Sequence, residues 1–387
     1  MGSVFSKKKK KKNIITDFTK LTIPSDFKLI KIATYNINLK NTANIDNKIR
    51  DIIFYLDTNN KNKSHDIICL QGINDIASFY KLVKQINIYA KYKGIKFYFA
   101  PLYDLDNNSD ISYDSKSNNK STQIYNFDNS NKNKRFSRVI SENFSSTTKN
   151  SKKIEVQNII ISKYPIVNNI IYSDLDVDYD IDDIIGIRSV VGVNISINGN
   201  IISLYNTRLS DDIKQVNIIN NNMRSEQLKK IFYIIEKNKF DLNLLKNYSK
   251  TDIHFLIGSL NINEINNSNH HSTIDNINPE FLHLMQQYRC FDIFRHMNNN
   301  NDPGYTNTSR ERVDYILFLF TNDLYDKNNI FNKKIVKIRN SKDILKLIFK
   351  RYRIYFFDVD VITDAILTHG TSNFPVETVF MISKQKN

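Results

Sequence analysis

The chain has no tryptophan, only nine glycines in 387 residues, and two cysteines. Two cysteines are too few for a disulfide framework. Cys69 lies inside the apolar run Ile67-Ile68-Cys69-Leu70, so the thiols are expected to be free and buried, in a reducing compartment. No stretch approaches the roughly 18 apolar residues that a membrane-spanning helix needs. No apolar segment of the secretory-signal kind follows the basic start of the chain, and an intracellular protein is expected. Asn-x-Ser/Thr triplets such as Asn143-Phe144-Ser145 do not argue otherwise, because asparagine is abundant enough for chance to supply them.

What is present supports a folded chain. Hydrophobic residues make up 41% and aromatics, all Phe and Tyr, 12%, enough for a sizeable core and too much for a disordered chain. Asn, Ile and Lys are enriched as an AT-rich genome enriches them, the bias of some protists and of giant viruses that infect amoebae. The net charge of +15 favours anionic partners: membrane surface, phosphate or nucleic acid. Six of those charges form one run, Lys7, Lys8, Lys9, Lys10, Lys11 and Lys12.

That run follows Met1-Gly2-Ser3-Val4-Phe5-Ser6. Gly2 and Ser6 stand where an N-myristoylation signal places them. One acyl chain binds membrane marginally, and a polybasic patch adds about 1 kcal/mol per lysine near an anionic leaflet. Residues 1–27 are therefore expected to be a lipidated, polybasic arm and connector on the cytoplasmic face of a membrane. A basic tail for nuclear import or nucleic acid is the plainer alternative.

Beyond the arm, short β-branched runs alternate with amphipathic stretches, an α/β pattern over residues 28–385. Strands are expected at 29–35, 67–70, 96–99, 158–162, 189–197, 200–205, 254–257, 313–319 and 376–383, with helices at 45–56, 76–86 and 224–239. Ile76, Tyr80, Val83 and Ile86 recur at helical spacing as a core face. Residues 104–152, rich in Asn, Ser, Lys and Asp, read as a low-complexity surface insertion whose basic part is Lys132 to Arg135. The acidic run Asp174 to Asp180 fails as a calcium loop, with Tyr179 and Ile185 where Gly and Glu are needed. His270-His271 lack companion ligands and read as solvated.

Nine ordered segments resemble the endonuclease/exonuclease/phosphatase (DNase I-like) superfamily. They are Ile32 to Asn36, His65 to Gly72, Asn158 to Ile166, Ile202 to Ser210, Arg224 with Gln227-Leu228, Phe255 to Asn261, Asp292 with Arg295, Arg312 to Ile316, and Thr371 to Val376. The resemblance implies a four-layer αββα sandwich, two packed mixed sheets flanked by helices, in one domain. It also implies metal-assisted attack of water on a phosphoester, yet the residues that carry such chemistry are exchanged. Gly72 stands for the Mg²⁺-binding Glu, and Ser259 for the Asp that handles the attacking water. Ser372 and Asn373 stand for an Asp-His pair, and Arg208 for a further His. Asn36, Asn261 and Asp314 survive, Asp314 without the imidazole it orients in relatives. Asp75 and Glu264 are the nearest compensating carboxylates, with a helix-start residue and a loop charge as their ordinary readings.

The leading expectation is thus a membrane-tethered, catalytically inactive scaffold or phosphate-binding module without a cofactor. Asn36, Arg208 and Asn261 would take a phosphate, such as a phosphoinositide headgroup; a protein partner is a further option. The alternatives are an active Mg²⁺-dependent phosphoesterase or nuclease with a rearranged site, and a structural component of a virion.

Overall fold

The computed structural model describes residues 23–38, 45–57, 59, 64–73, 76–101, 123–125, 157–175, 188–210, 217–244, 253–264, 277–298, 304–319, 353–363 and 373–384. In chain order the elements are β1 (Phe27–Asn36), α1 (Ile45–Leu56), β2 (Ile67–Gln71), α2 (Ile76–Lys93), β3 (Tyr98–Ala100), β4 (Gln123–Tyr125), β5 (Asn158–Ser162), β6 (Ile166–Asp174), β7 (Ser189–Ile197) and β8 (Asn200–Arg208). They continue with α3 (Asn217–Leu244), β9 (Ile253–Ser259), α4 (Pro279–Gln287), β10 (Cys290–Asp292), α5 (Ile293–Met297), β11 (Asp314–Leu319), β12 (Ile354–Val361) and β13 (Val376–Ser383).

The strands form two mixed sheets, ordered β12-β13-β1-β2-β5-β3 and β10-β11-β9-β8-β7-β6-β4. β1 runs parallel to β2 and β8 parallel to β9, while the other pairings are antiparallel. Strands buried on both faces read as near-continuous apolar runs, as Ile159-Ile160-Ile161 does. One apolar core, with Ile32, Val193, Leu204 and Phe255 in it, fills the space between the sheets. A second packs Ile49 and Ile52 of α1 and Phe79 and Leu82 of α2 on the outside of the first sheet. A third packs Leu228 and Ile231 of α3 and Phe281 and Leu284 of α4 on the outside of the second. The result is the expected four-layer sandwich.

Several elements differ from expectation. Val83 and Ile86 lie on the buried face of α2, but that face is centred on Phe79 and Leu82, and Tyr80 sits half-buried at its margin. Within the 104–152 insertion, Gln123–Tyr125 pairs with β6, so the insertion supplies an edge strand. Strands β6, β10 and β12 and helices α4 and α5 come in addition to the expected set. Both cysteines are free and buried, and burial raises the Cys69 thiol well above its ordinary value. Among the described residues no helix is long and apolar enough to cross a membrane. The basic arm with Gly2, together with Asp75, Lys132 to Arg135, Asp176 to Asp180, His270-His271 and Ser372, lies outside the described residues.

Candidate functional site

Side chains alternate along a strand, so an inward-facing series keeps its face to the end. Four series change from apolar to polar at the same end of the sandwich: Ile30, Ile32, Thr34, Asn36 on β1; Ile67, Cys69, Gln71 on β2; Ile202, Leu204, Asn206, Arg208 on β8; Phe255, Ile257, Ser259 on β9. Register brings these ends level. Asn36 pairs with Gln71, Arg208 with Ser259, and Asp314 opens β11 opposite Ser259. Asn373 precedes β13, whose Val376 pairs with Thr34.

Two polar layers follow. In the lower one, Gln71 Nε2 donates to Asn206 Oδ1 at 2.6 Å and to Thr34 Oγ1 at 2.9 Å. Asn206 Nδ2 donates to the carbonyls of Leu70 and Ile159, both at 2.9 Å, which ties β8 to the facing sheet. In the upper layer Asn36 Nδ2 donates to Ser259 Oγ at 3.2 Å, and Ser259 Oγ donates to Asn261 Oδ1 at 3.3 Å. Asn261 Nδ2 donates to the Leu209 carbonyl at 2.7 Å. Asn261 holds this place at φ 53°, a left-handed conformation that asparagine tolerates. Gln227 of α3 grips Ser210 just beyond Arg208, accepting from its N–H at 3.0 Å and donating to its hydroxyl at 2.8 Å. Lys48 of α1, buried, donates to the Ile37 carbonyl at 2.7 Å and so fixes the chain just past Asn36.

Asp314 is enclosed beside this layer. Burial pushes its carboxyl up to about 6, against hydrogen bonds with Ser259, Thr306 and Asn373 and the positive charge of Arg208. The expectation that Asp314 has lost its partner is corrected here. Asn373 Nδ2 donates to Asp314 Oδ2 at 3.3 Å, so an amide keeps a bond from the position where the resemblance implies an imidazole.

Gly72 decides what the site can hold. Its φ is +76°, and a Cβ built there would stand 2.7 Å from Asn36 Oδ1 and 2.8 Å from the Asn38 backbone nitrogen. With the backbone in this conformation, even the first carbon of a side chain at residue 72 would collide with Asn36 and the Asn38 backbone, and glycine itself offers no ligand atom. The remaining oxygens suit Mg²⁺ poorly: Asn36 Oδ1 and Asp314 Oδ1 are both buried without a hydrogen-bond partner, but the first is neutral and the second belongs to a lone carboxyl whose ionisation burial opposes. Among the described residues no cluster of three His, Cys, Asp or Glu side chains is placed to hold a metal. The residues present do not fit that ion.

Glu264 lies in the loop after β9, as expected, but as a buried and paired charge and not as a compensating carboxylate. It is buried against Arg295 and, at 3.3 Å, Arg312. Arg312 binds Asp292 bidentately, with both contacts at 2.6 Å, and its guanidinium lies over the Tyr315 ring. Asp292 also caps α5. Burial opposes its ionisation, but the Arg312 charge outweighs burial and holds its carboxyl below the ordinary range. The Asp292/Arg295 and Arg312 segments of the resemblance therefore form one structural ion cluster. Gln71, Asn206 and Lys48 received no role from the sequence. The available signal for Asn206 was its parity, a polar residue in line with Ile202 and Leu204.

Two mixed sheets lie face to face, helices cover both outer faces, and the family-like segments deliver their polar residues to one end. The fold is DNase I-like. No family profile and no curated protein sequence matches the chain. Solved structures with the DNase I-like fold that are similar to it include an endonuclease/exonuclease/phosphatase family protein from Leptotrichia buccalis, at 13% identity over 90% of this chain and 98% of that one, TM-score 0.46. Sphingomyelinase C from Streptomyces griseocarneus is 13% identical over 91% and 99%, TM-score 0.48. TDP2 from D. rerio, complexed with single-strand DNA product, is 11% identical over 91% and 98%, TM-score 0.43. At these identities and scores the likeness carries nothing about chemistry.

Proposed function

We propose that this chain is a membrane-tethered binding module that keeps a DNase I-like scaffold without its hydrolytic chemistry. Its ligand is a phosphate-bearing molecule of the inositol-headgroup kind, taken at the end of the sandwich that gathers Asn36, Arg208 and Asn261. The observation that carries the non-catalytic reading is Gly72, which has no ligand atom and whose backbone conformation leaves no room for a Cβ beside Asn36 and Asn38. Ser259, in the water-handling position, is no base near neutral pH. A guanidinium beside amide donors suits phosphate oxygens. The tether rests on Gly2, Ser6 and the six lysines that follow.

One observation favours the alternative, residual hydrolysis: Asp314 has a carboxyl that titrates close to neutral pH. The test is to incubate purified protein with Mg²⁺ or Mn²⁺ and duplex DNA, a phosphoinositide or a generic phosphodiester. No turnover above blank is expected. Turnover that disappears in Asn261→Ala would overturn the proposal. With no turnover, binding of a soluble inositol phosphate should weaken at least about tenfold in Arg208→Ala, the loss of one charge-assisted contact. Unaltered binding, or none in the parent, favours a purely structural role. Membrane partition in cells should fall in Gly2→Ala; unchanged partition would sink the tether.

A further inference from the structure

Helix α2 contains four lysines and no Asp or Glu. Two of these lysines are answered: Lys81 pairs with Asp46 at 2.8 Å and Lys93 approaches Asp57 at 3.9 Å. Lys84 and Lys91 are exposed, as is Lys96 just beyond the helix, and no carboxylate among the described residues pairs with them. Between them lie Ile88, 53% exposed, and Tyr92, 83% exposed, two of the four exposed large hydrophobics among the described residues. The spacing 84, 88, 91, 92 places these side chains on one helix face, opposite the buried Leu82, Val83 and Ile86. An apolar pair framed by uncompensated lysines therefore runs along the outside of the first sheet's helical layer.

The geometry points to this α2 face as a surface that lies against an anionic lipid bilayer. Lysine stems bury along apolar surface while their ammonium groups reach phosphates, and tyrosine is at home at the headgroup level. Ile88 argues against nucleic acid as the occupant, because an aliphatic side chain gains nothing on a phosphate backbone and does gain in the acyl boundary. The C-terminal end of the face also lies at the same end of the first sheet as the start of β1. Tyr98, five residues past α2, pairs with Ser162, which pairs with Ile67, which pairs with Ile32 of β1. Phe27, where β1 begins, lies still further toward that end. The inference does not depend on what the polar site binds.

The test uses the full, unacylated chain with Lys7 to Lys12 replaced by glutamine, so that the arm contributes no charge. Sedimentation with phosphatidylcholine vesicles, with and without phosphatidylserine, reads the partition. Binding is expected only with phosphatidylserine. It should fall at least about tenfold in Lys84→Glu/Lys91→Glu and several-fold in Ile88→Ser/Tyr92→Ser, while Tyr233→Ser on α3, outside the other sheet, leaves it unchanged. All five positions are exposed, so circular dichroism and melting temperature should match the parent. Partition untouched by the α2 substitutions would overturn the assignment, as would an equal fall in Tyr233→Ser. Binding of an oligonucleotide duplex, but not of vesicles, that is lost in the lysine variant would assign the face to nucleic acid instead.

Discussion

Asp314 is a carboxyl whose ionisation is opposed by its surroundings. Its folded value of about 6 lies above the ordinary 3.8, so its contribution to stability is full below about pH 4 and is lost as pH rises through 6. Asp314→Asn removes that dependence. Melting curves should show the variant gaining on the parent between pH 4 and pH 8 by up to about 3 kcal/mol, the equivalent of the shift. Parallel pH profiles would show that the carboxyl is not held up. Gly72 gives a second residue-scale outcome. Gly72→Glu forces a side chain into a left-handed conformation, about 1–3 kcal/mol of strain, and against the Asn38 backbone. A lower melting temperature and no Mg²⁺-dependent hydrolysis are expected; turnover would mean that the backbone yields and the metal site re-forms.

Among the elements, those with strong local patterns were legible. The bounds of β5, β7, β13 and α1 agree with expectation because long apolar runs ended at polar or turn residues. α4 carried a start signal, Asn278 accepting from the Glu280 N–H with Pro279 in the first turn, that hydrophobic periodicity alone passes over. β12 was hidden by Asp358 and Asp360, which break the apolar pattern of an outermost strand. The ion cluster was not legible, because Glu264, Asp292, Arg295 and Arg312 come from separate segments and only packing brings them together. At the candidate site the exchanged residues could be named from their motifs, whereas the closure of the Gly72 gap by Asn36 depends on backbone conformation.

These connections between elements have measurable strength. Asp292→Asn leaves Arg312 and Arg295 buried with one carboxylate between them, and urea unfolding should register a loss of about 3–5 kcal/mol. Replacing Asp292 and Arg312 together by leucine should cost less than the sum of the single changes. Asn206→Leu takes the side-chain donor from the Leu70 and Ile159 carbonyls and one of three acceptors from Gln71, which keeps Thr34 and the Cys69 carbonyl, and the same measurement should show a loss of about 2–3 kcal/mol. A loss below about 1 kcal/mol would mean that water or neighbouring groups replace the bonds.

For the whole molecule, β1 works as a spacer. It begins at Phe27, at the same end of the first sheet as the last turn of α2, and ends nine residues later at Asn36, about 30 Å away for an extended strand. The C-terminal half of α2, whose outer face is proposed to meet the bilayer, and the end proposed to meet a phosphate are therefore separate. On these two proposals the membrane would serve as an address and the polar site as a reader on a separate surface, so the two kinds of occupancy should not compete. A saturating soluble inositol phosphate should leave the protein on phosphatidylserine vesicles, and its release by that ligand would mean that one surface does both jobs. A ligand free in solution, or carried on an apposed membrane, would suit such a reader better than a lipid in the bilayer that holds the arm.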